Sequence, residues 1–283
     1  MGGKVSYQLR PLSFSELLDR ALWIYRDNFL LLTATRELYR SPGFFIPHKV
    51  TFAANPVAAT LSLLPFLIFY PLAGALMIGI VAQLCVGDRL SLAEALRSLR
   101  PVWVRILGFN WLAHTMYMIV FTTGLGMFAI IKPILEAELF GALVFAVLLV
   151  VIFASFAFAV YFFVGWSFGS IALMVEHPPR WSALHRSRGL IRGVWWKTAL
   201  MVAGVNVFSF LSYHVLHIFW AGVPGLRNFV VSATLSVFET YISVLFVIYY
   251  FDRRCRTEDF DLRLLAEQVR ADTRPMVPAE QSA

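Results

Sequence analysis

Long apolar runs, separated by short charged or glycine-containing connections, set the pattern of this chain. A helix needs about 20 mostly apolar residues to cross the hydrocarbon of a bilayer. Five runs reach that length: Thr60–Val86, Arg105–Ile131, Leu139–Val175, Thr198–Gly222 and Phe229–Phe251. The third is longer than one perpendicular crossing requires. It is expected to tilt, to bend near Gly165 or Gly169, or to project into the cytoplasm. The pattern predicts an all-α fold, a polytopic bundle of transmembrane helices.

Charge alternates between the connections. Arg89, Arg97, Arg100 and Arg105 surround the first, and Lys132 alone marks the second. Arg180, Arg186, Arg188, Arg192 and Lys197 crowd the third, Arg227 marks the fourth, and Arg253, Arg254 and Arg256 follow the last run. Lys and Arg concentrate in cytoplasmic loops, so the C-terminus is expected inside. Lys4, Arg10, Arg20 and Arg26 place the N-terminus there too, and five crossings cannot satisfy both ends. A sixth, degenerate span is therefore expected between Asn28 and Thr60, in a stretch that holds Arg36, Glu37, Arg40, His48 and Lys49. A re-entrant segment over 29–59 is the alternative.

Short internal similarities support six. Leu12-Ser-Phe-Ser-Glu-Leu-Leu18 is similar to Leu90-Ser-Leu-Ala-Glu-Ala-Leu96. In both, Ser precedes Glu by three residues, the reciprocal pattern that caps a helix start. Arg100-Pro-Val-Trp-Val-Arg105 is similar to Arg192-Gly-Val-Trp-Trp-Lys197. Three copies of an amphipathic cytoplasmic elbow helix plus a membrane hairpin would give six spans with both ends inside. In the first elbow Phe14, Leu17, Leu18, Ala21, Leu22 and Tyr25 form an apolar stripe, and Glu16, Asp19, Arg20 and Asp27 face away. Such helices lie in the membrane interface. Trp23, Trp103, Trp181, Trp195 and Trp196 fall at the predicted boundaries as anchors. Arg186, Arg188 and Arg192 carry a sharper expectation, contact with anionic lipid headgroups.

Composition agrees with a lipid-facing exterior. Hydrophobic residues make up 59% and charged residues 14%, against about 45–50% and about 25% in soluble domains. The net charge of +7 would suggest nucleic acid in a soluble protein, but here it sits between apolar runs and reads as topology, so no nucleic-acid partner is expected. Cys85 and Cys255 lack zinc or redox spacing, and no disulfide is expected. Met1–Arg10 lacks the apolar core of a signal peptide.

Candidate chemistry is confined to the membrane. Segments outside the spans are too short for a soluble catalytic domain, and no P-loop, His-Glu-x-x-His or Gly-x-Ser-x-Gly motif occurs. Gly124-Leu-Gly126 reads as close helix packing. Glu239 falls near mid-depth in the last span, where a carboxylate is costly and calls for a partner. His214, in the preceding span of the same hairpin, is the expected partner. His217 shares its face, and His114 lies near mid-depth in the second predicted hairpin. This polar cluster reads as helix-to-helix hydrogen bonding, with a proton or solute path as the rival. Two histidines and a glutamate leave a metal site without a fourth ligand.

Three segments carry a family resemblance. They are Leu9-Arg-Pro-Leu-Ser-Phe-Ser-Glu-Leu-Leu-Asp-Arg20 through Tyr25-Arg-Asp-Asn-Phe29, then Val175-Glu-His177 with Ala183-Leu-His-Arg-Ser187, and finally Tyr249-Tyr-Phe-Asp-Arg253 with Arg256-Thr-Glu-Asp-Phe-Asp-Leu262. Together they resemble the membrane-domain family named after glycerophosphoryl diester phosphodiesterases. The resemblance implies a bacterial inner-membrane protein of about six helices, without the phosphodiesterase activity of the attached domains. Two departures stand out. A polar, Pro-containing stretch replaces the usual first span, and Asp259 stands where the family commonly has Gly at a tight turn.

These readings converge on one membrane-embedded domain over 1–270 and a disordered cytoplasmic tail over 271–283. No cofactor or catalytic residue is expected. The favoured function is a non-catalytic membrane module, a scaffold or lipid-associated component whose partners are the bilayer, anionic headgroups and another membrane protein. A small transporter or channel using Glu239 and the histidines is the alternative, and a membrane-embedded lipid hydrolase the third.

Overall fold

The computed structural model describes residues 9–45, 56–86, 92–113, 115, 141–179, 182–220 and 222–272. Every regular element among them is helical. In chain order these are α1 (Phe14–Asp27), α2 (Phe29–Phe45), α3 (Pro56–Val86), α4 (Leu92–Leu99), a helical stretch over 103–113, α5 (Gly141–Trp166), α6 (Gly169–Glu176), α7 (Ser182–Ile191), α8 (Trp195–Phe219), α9 (Pro224–Glu258) and α10 (Phe260–Asp272). Three stretches are long and apolar enough to cross a membrane: Leu149–Glu176, Trp195–Phe219 and Ala233–Glu258. Pro71–Val86 adds a shorter apolar segment. His114, the Gly124–Gly126 pair, most of the second run and the tail from 273 lie outside the described residues.

The start of α1 follows from its capping residues. The Ser13 hydroxyl accepts from the Glu16 backbone N–H, and the Glu16 carboxylate accepts from the Ser13 N–H at 2.7 Å. This satisfies two of the donors a helix start leaves open. The Ser13 backbone N–H, then the Arg10 guanidinium and the Ser13 hydroxyl, draw the Glu16 pKa down to about 2. The expected apolar stripe divides. Leu17, Ala21 and Tyr25 are buried in the core, where Ile24, outside the expected stripe, joins them, whereas Phe14 and Leu22 face outward. Asn28 ends α1, its side-chain amide donating to the Ile24 carbonyl at 3.0 Å, and α2 begins at the next residue.

The overlong third run breaks at Ser167–Phe168, between the two glycines expected to bend it. Ser187 of α7 fills the break: its hydroxyl donates to the Gly165 carbonyl at 2.8 Å and accepts from the Phe168 N–H at 3.1 Å. Both backbone groups lie next to the break, where the α-helical ladder is interrupted, and the Ser187 hydroxyl takes them up. Gly169 is required by a close approach, since a Cβ there would lie 2.2 Å from Phe109 Cζ.

Helix α9 organises the rest, packing against α1, α2, α3, α7, α8 and α10. Its 35 residues extend about 52 Å at about 1.5 Å per residue, well beyond the roughly 30 Å of bilayer hydrocarbon. The charged last two turns, Asp252–Glu258, make up about 10 Å of the surplus at the same rise. Half of the apolar window of α9 is buried, against 11% in the α5–α6 and α8 windows. The main core accordingly gathers at the charged end of α9, where Tyr250 and Phe251 meet Ile24, Ile80, Phe168 and Leu190.

Candidate functional site

The last turns of α9 form a joint that holds four other segments. Arg186 of α7 donates through Nε and Nη2 to the two Glu176 oxygens, at 2.7 and 2.8 Å. Its Nη1 and Nη2 also donate to Glu258, the second at 2.7 Å. Arg254 sits between the same carboxylates, 3.3 Å from Glu176 and 3.4 Å from Glu258, and its guanidinium lies 3.8 Å over the Phe260 ring. The Tyr250 hydroxyl donates to Glu176. The Glu258 hydrogen bond, then that of Glu176, raises the Arg186 pKa above its ordinary value against the opposing effect of burial. Two acids and two bases neutralise one another, in the bidentate geometry that guanidinium groups favour.

Each carboxylate belongs to the last residue of its helix, and the next residue turns left-handed: His177 at φ 52° and Asp259 at φ 52°. Asp is among the few L-residues that adopt this region at modest cost. The tight turn put in question by Asp259 therefore forms without glycine. A helix C-terminus carries about half a negative charge, so two of them beside two carboxylates make a site that requires Arg186 and Arg254.

Asp252 serves the N-terminal segment. Its Oδ1 accepts from the Leu12 N–H at 2.7 Å, and both its oxygens accept from Arg256 Nε at 3.0 Å. Arg256 Nη2 in turn donates to the Leu12 carbonyl at 2.6 Å. Arg253 Nε donates to the Leu190 carbonyl at 3.1 Å, next to the C-terminal residue of α7, where a cation is favoured. Tyr249 and Thr198 share a hydroxyl pair at 3.0 Å, which fixes the start of α8. The three segments that carried the family resemblance thus meet at one place. The cavity beside them, lined by Arg10, Arg20, Cys85 and Asp252 among others, encloses about 10 Å3, the space of roughly one water.

The polar residues expected at mid-membrane are arranged differently. Glu239 is half-buried and pairs with Arg36 of α2, where His214 was the expected partner. His214 is exposed, its ring 4.3 Å from Phe210 and 5.3 Å from Tyr213. His217 packs on Tyr213 at 5.4 Å. Helix α8 turns this face away from Glu239, because a period of 3.6 puts His214 and His217 with the outward aromatic residues. Arg36 was legible as one of the charges that make 29–59 degenerate, and an acid at depth calls for a base. Nothing in the sequence joined two residues 203 positions apart. Among the described residues no three His, Cys, Asp or Glu side chains gather as a metal site would require.

The three arginines expected at lipid headgroups also separate. Arg186 is spent on carboxylates, Arg192 is exposed, and Arg188 lies over the rings of Phe162 at 4.9 Å and Trp166 at 5.9 Å. Sequence reasoning missed Tyr250, Asp252, Arg254 and Glu258 as partners, although their density after an apolar run was a usable signal.

No curated protein and no solved structure matches the chain. Residues 50–282 match the family described as a domain of unknown function, DUF8558, and the chain belongs to that family.

Proposed function

We propose that this protein is a non-catalytic, multi-span module of a bacterial inner membrane, a scaffold or lipid-associated component. Six spans with both ends in the cytoplasm, arranged as three elbow-and-hairpin copies, fit the alternation of basic connections and the resemblance to the phosphodiesterase-associated membrane domains. The observation that carries the reading is the outward surface of α5 and α8. Their apolar windows are only 11% buried, and Phe153, Phe156, Phe210 and Ile218 are each more than 60% exposed. Apolar surface on that scale is covered by acyl chains or by another membrane protein. Meanwhile the ion pairs at the end of α9 are satisfied within the chain, as a structural joint requires.

Transport is the rival reading, and one observation favours it: the Glu239 side chain retains 30% exposure inside the last span. Reconstitution into liposomes separates the two. A scaffold gives no proton or solute flux above protein-free vesicles, and photo-crosslinkers at Phe156 and Phe210 in native membranes capture acyl chains or a protein of discrete mass. Proton or solute flux above protein-free vesicles overturns the scaffold in favour of a transporter. Cysteine labelling of the two termini tests the six-span topology separately, since a periplasmic N-terminus contradicts it.

A further inference from the structure

Along the Tyr161–Trp166 stretch of α5, Trp166, Arg188 and Trp195 carry three hydrogen-bond donors that lack acceptors among the described residues. Arg188 lies along the face of α5 that Phe162, Gly165 and Trp166 share. A Cβ on Gly165 would stand 3.6 Å from its Cγ and 3.8 Å from its Nε, so the side chain lies closely along α5 at this glycine. Cation–π contact with Phe162 and Trp166 holds the guanidinium in place. Its Nε is buried and has no hydrogen-bond partner. The indole N–H groups of Trp166 and Trp195 are buried and unpartnered in the same way. A continuous run of ring contacts connects them, from Trp195 to Tyr161 at 5.9 Å, to Phe162 at 5.6 Å and to Trp166 at 5.2 Å. Among the described residues no carboxylate pairs with Arg188, although its neighbour Arg186 holds two.

Buried donors without acceptors are costly, and native proteins satisfy them with a ligand or water. A ligand at these donors needs acceptors, gains from negative charge beside the Arg188 guanidinium, and has to tolerate flanking apolar surface. The exposed Tyr161, Phe163 and Trp196 supply that surface, and the exposed Arg192 and Lys197 add positive charge nearby. Trp195 opens the α8 span, which puts the donors at the depth where headgroups meet acyl chains. We infer that Arg188, Trp166 and Trp195 bind the phosphodiester of an anionic phospholipid whose chains lie along α5 and α8. The inference rests on the membrane-module reading and names its lipid class.

The test uses the full chain purified in detergent, titrated with phosphatidylglycerol, with phosphatidylcholine of the same chains, and with inorganic phosphate, bound lipid being counted by native mass spectrometry. Phosphatidylglycerol is expected to bind, and Arg188→Gln to weaken it on the order of tenfold, as loss of a charge-assisted bidentate contact implies. Trp166→Phe keeps the ring beneath the guanidinium and removes only the N–H. It is expected to weaken binding severalfold, and it decides the matter if Arg188→Gln does not fold. Arg97→Gln, an equal loss of charge on α4, leaves binding unchanged. Equal affinity in the wild type, Arg188→Gln and Trp166→Phe overturns the site, as does inorganic phosphate or phosphatidylcholine binding as tightly as phosphatidylglycerol. Such a failure would leave the module reading standing, because that reading is judged by flux and crosslinking.

Discussion

Replacing Arg186 by Gln isolates the energetics of the joint. The guanidinium makes four hydrogen bonds to two carboxylates on two other helices. A hydrogen bond to a charged group contributes about 1.5–3 kcal/mol net, and removing one partner of a buried ion pair costs about 3–5 kcal/mol. Two features reduce that figure here. The Arg186 side chain is 29% exposed and each carboxylate 19%, so water takes up part of the lost interaction. Arg254 also stays beside both acids. The expected loss is therefore about 2–4 kcal/mol, larger than a typical surface substitution. Unfolding in a denaturing detergent, followed by tryptophan fluorescence, measures it directly. Adding Glu258→Gln to that variant should recover about 1 kcal/mol or more, because it relieves two carboxylates facing each other at two helix C-termini. A loss below about 0.5 kcal/mol for Arg186→Gln would refute the view that this cluster holds the helices together.

Further outcomes follow from the same geometry. Glu239→Gln is expected to destabilise the protein by about 3 kcal/mol by leaving Arg36 without its carboxylate; Arg36→Gln together with Glu239→Gln should restore most of that in the same assay, and a double variant no better than the single would contradict the pairing. Gly169→Ala should cost about 1–3 kcal/mol because the methyl meets the Phe109 ring. Gly79→Ala should cost less, since its nearest neighbour is the flexible end of Met174. Glu16 titrates near 2 in the folded protein, below its ordinary value, so the stability it lends to α1 is full above about pH 4.5 and falls away as pH drops toward 2. Hydrogen exchange at Ser13 and Glu16 across that range checks the sign, and protection that grows on acidification would reverse it.

Local chemistry was legible in the sequence and distant pairing was not. The Ser13–Glu16 cap and the break between Gly165 and Gly169 follow from residues within a few positions, where periodicity and capping act. Span length likewise marks α8 and the apolar body of α9. The partner of Glu239 lies in a helix that hydropathy does not favour as a span, and its direction depends on how α2 packs against α3 and α9. Arg186 looked like Arg188 in sequence, both being basic residues on one amphipathic helix. Two positions along a helix turn a side chain by about 200°, which sends one to the carboxylates and the other to the aromatic face. The positive φ of Asp259 shows the same limit from another side: a missing glycine changes the cost of a turn without deciding whether it forms.

The bond between the Leu12 N–H and Asp252 spans 240 residues of chain. A ribosome adds about 5–20 residues per second, so the N-terminal segment waits roughly 12–48 s for its anchor to be made. During that interval Leu17, Ala21 and Ile24 have no α9 to cover them. A chain that stops before Asp252 lacks the carboxylate that fastens the Leu12 backbone, and the segment ahead of α1 loses its tie to α9.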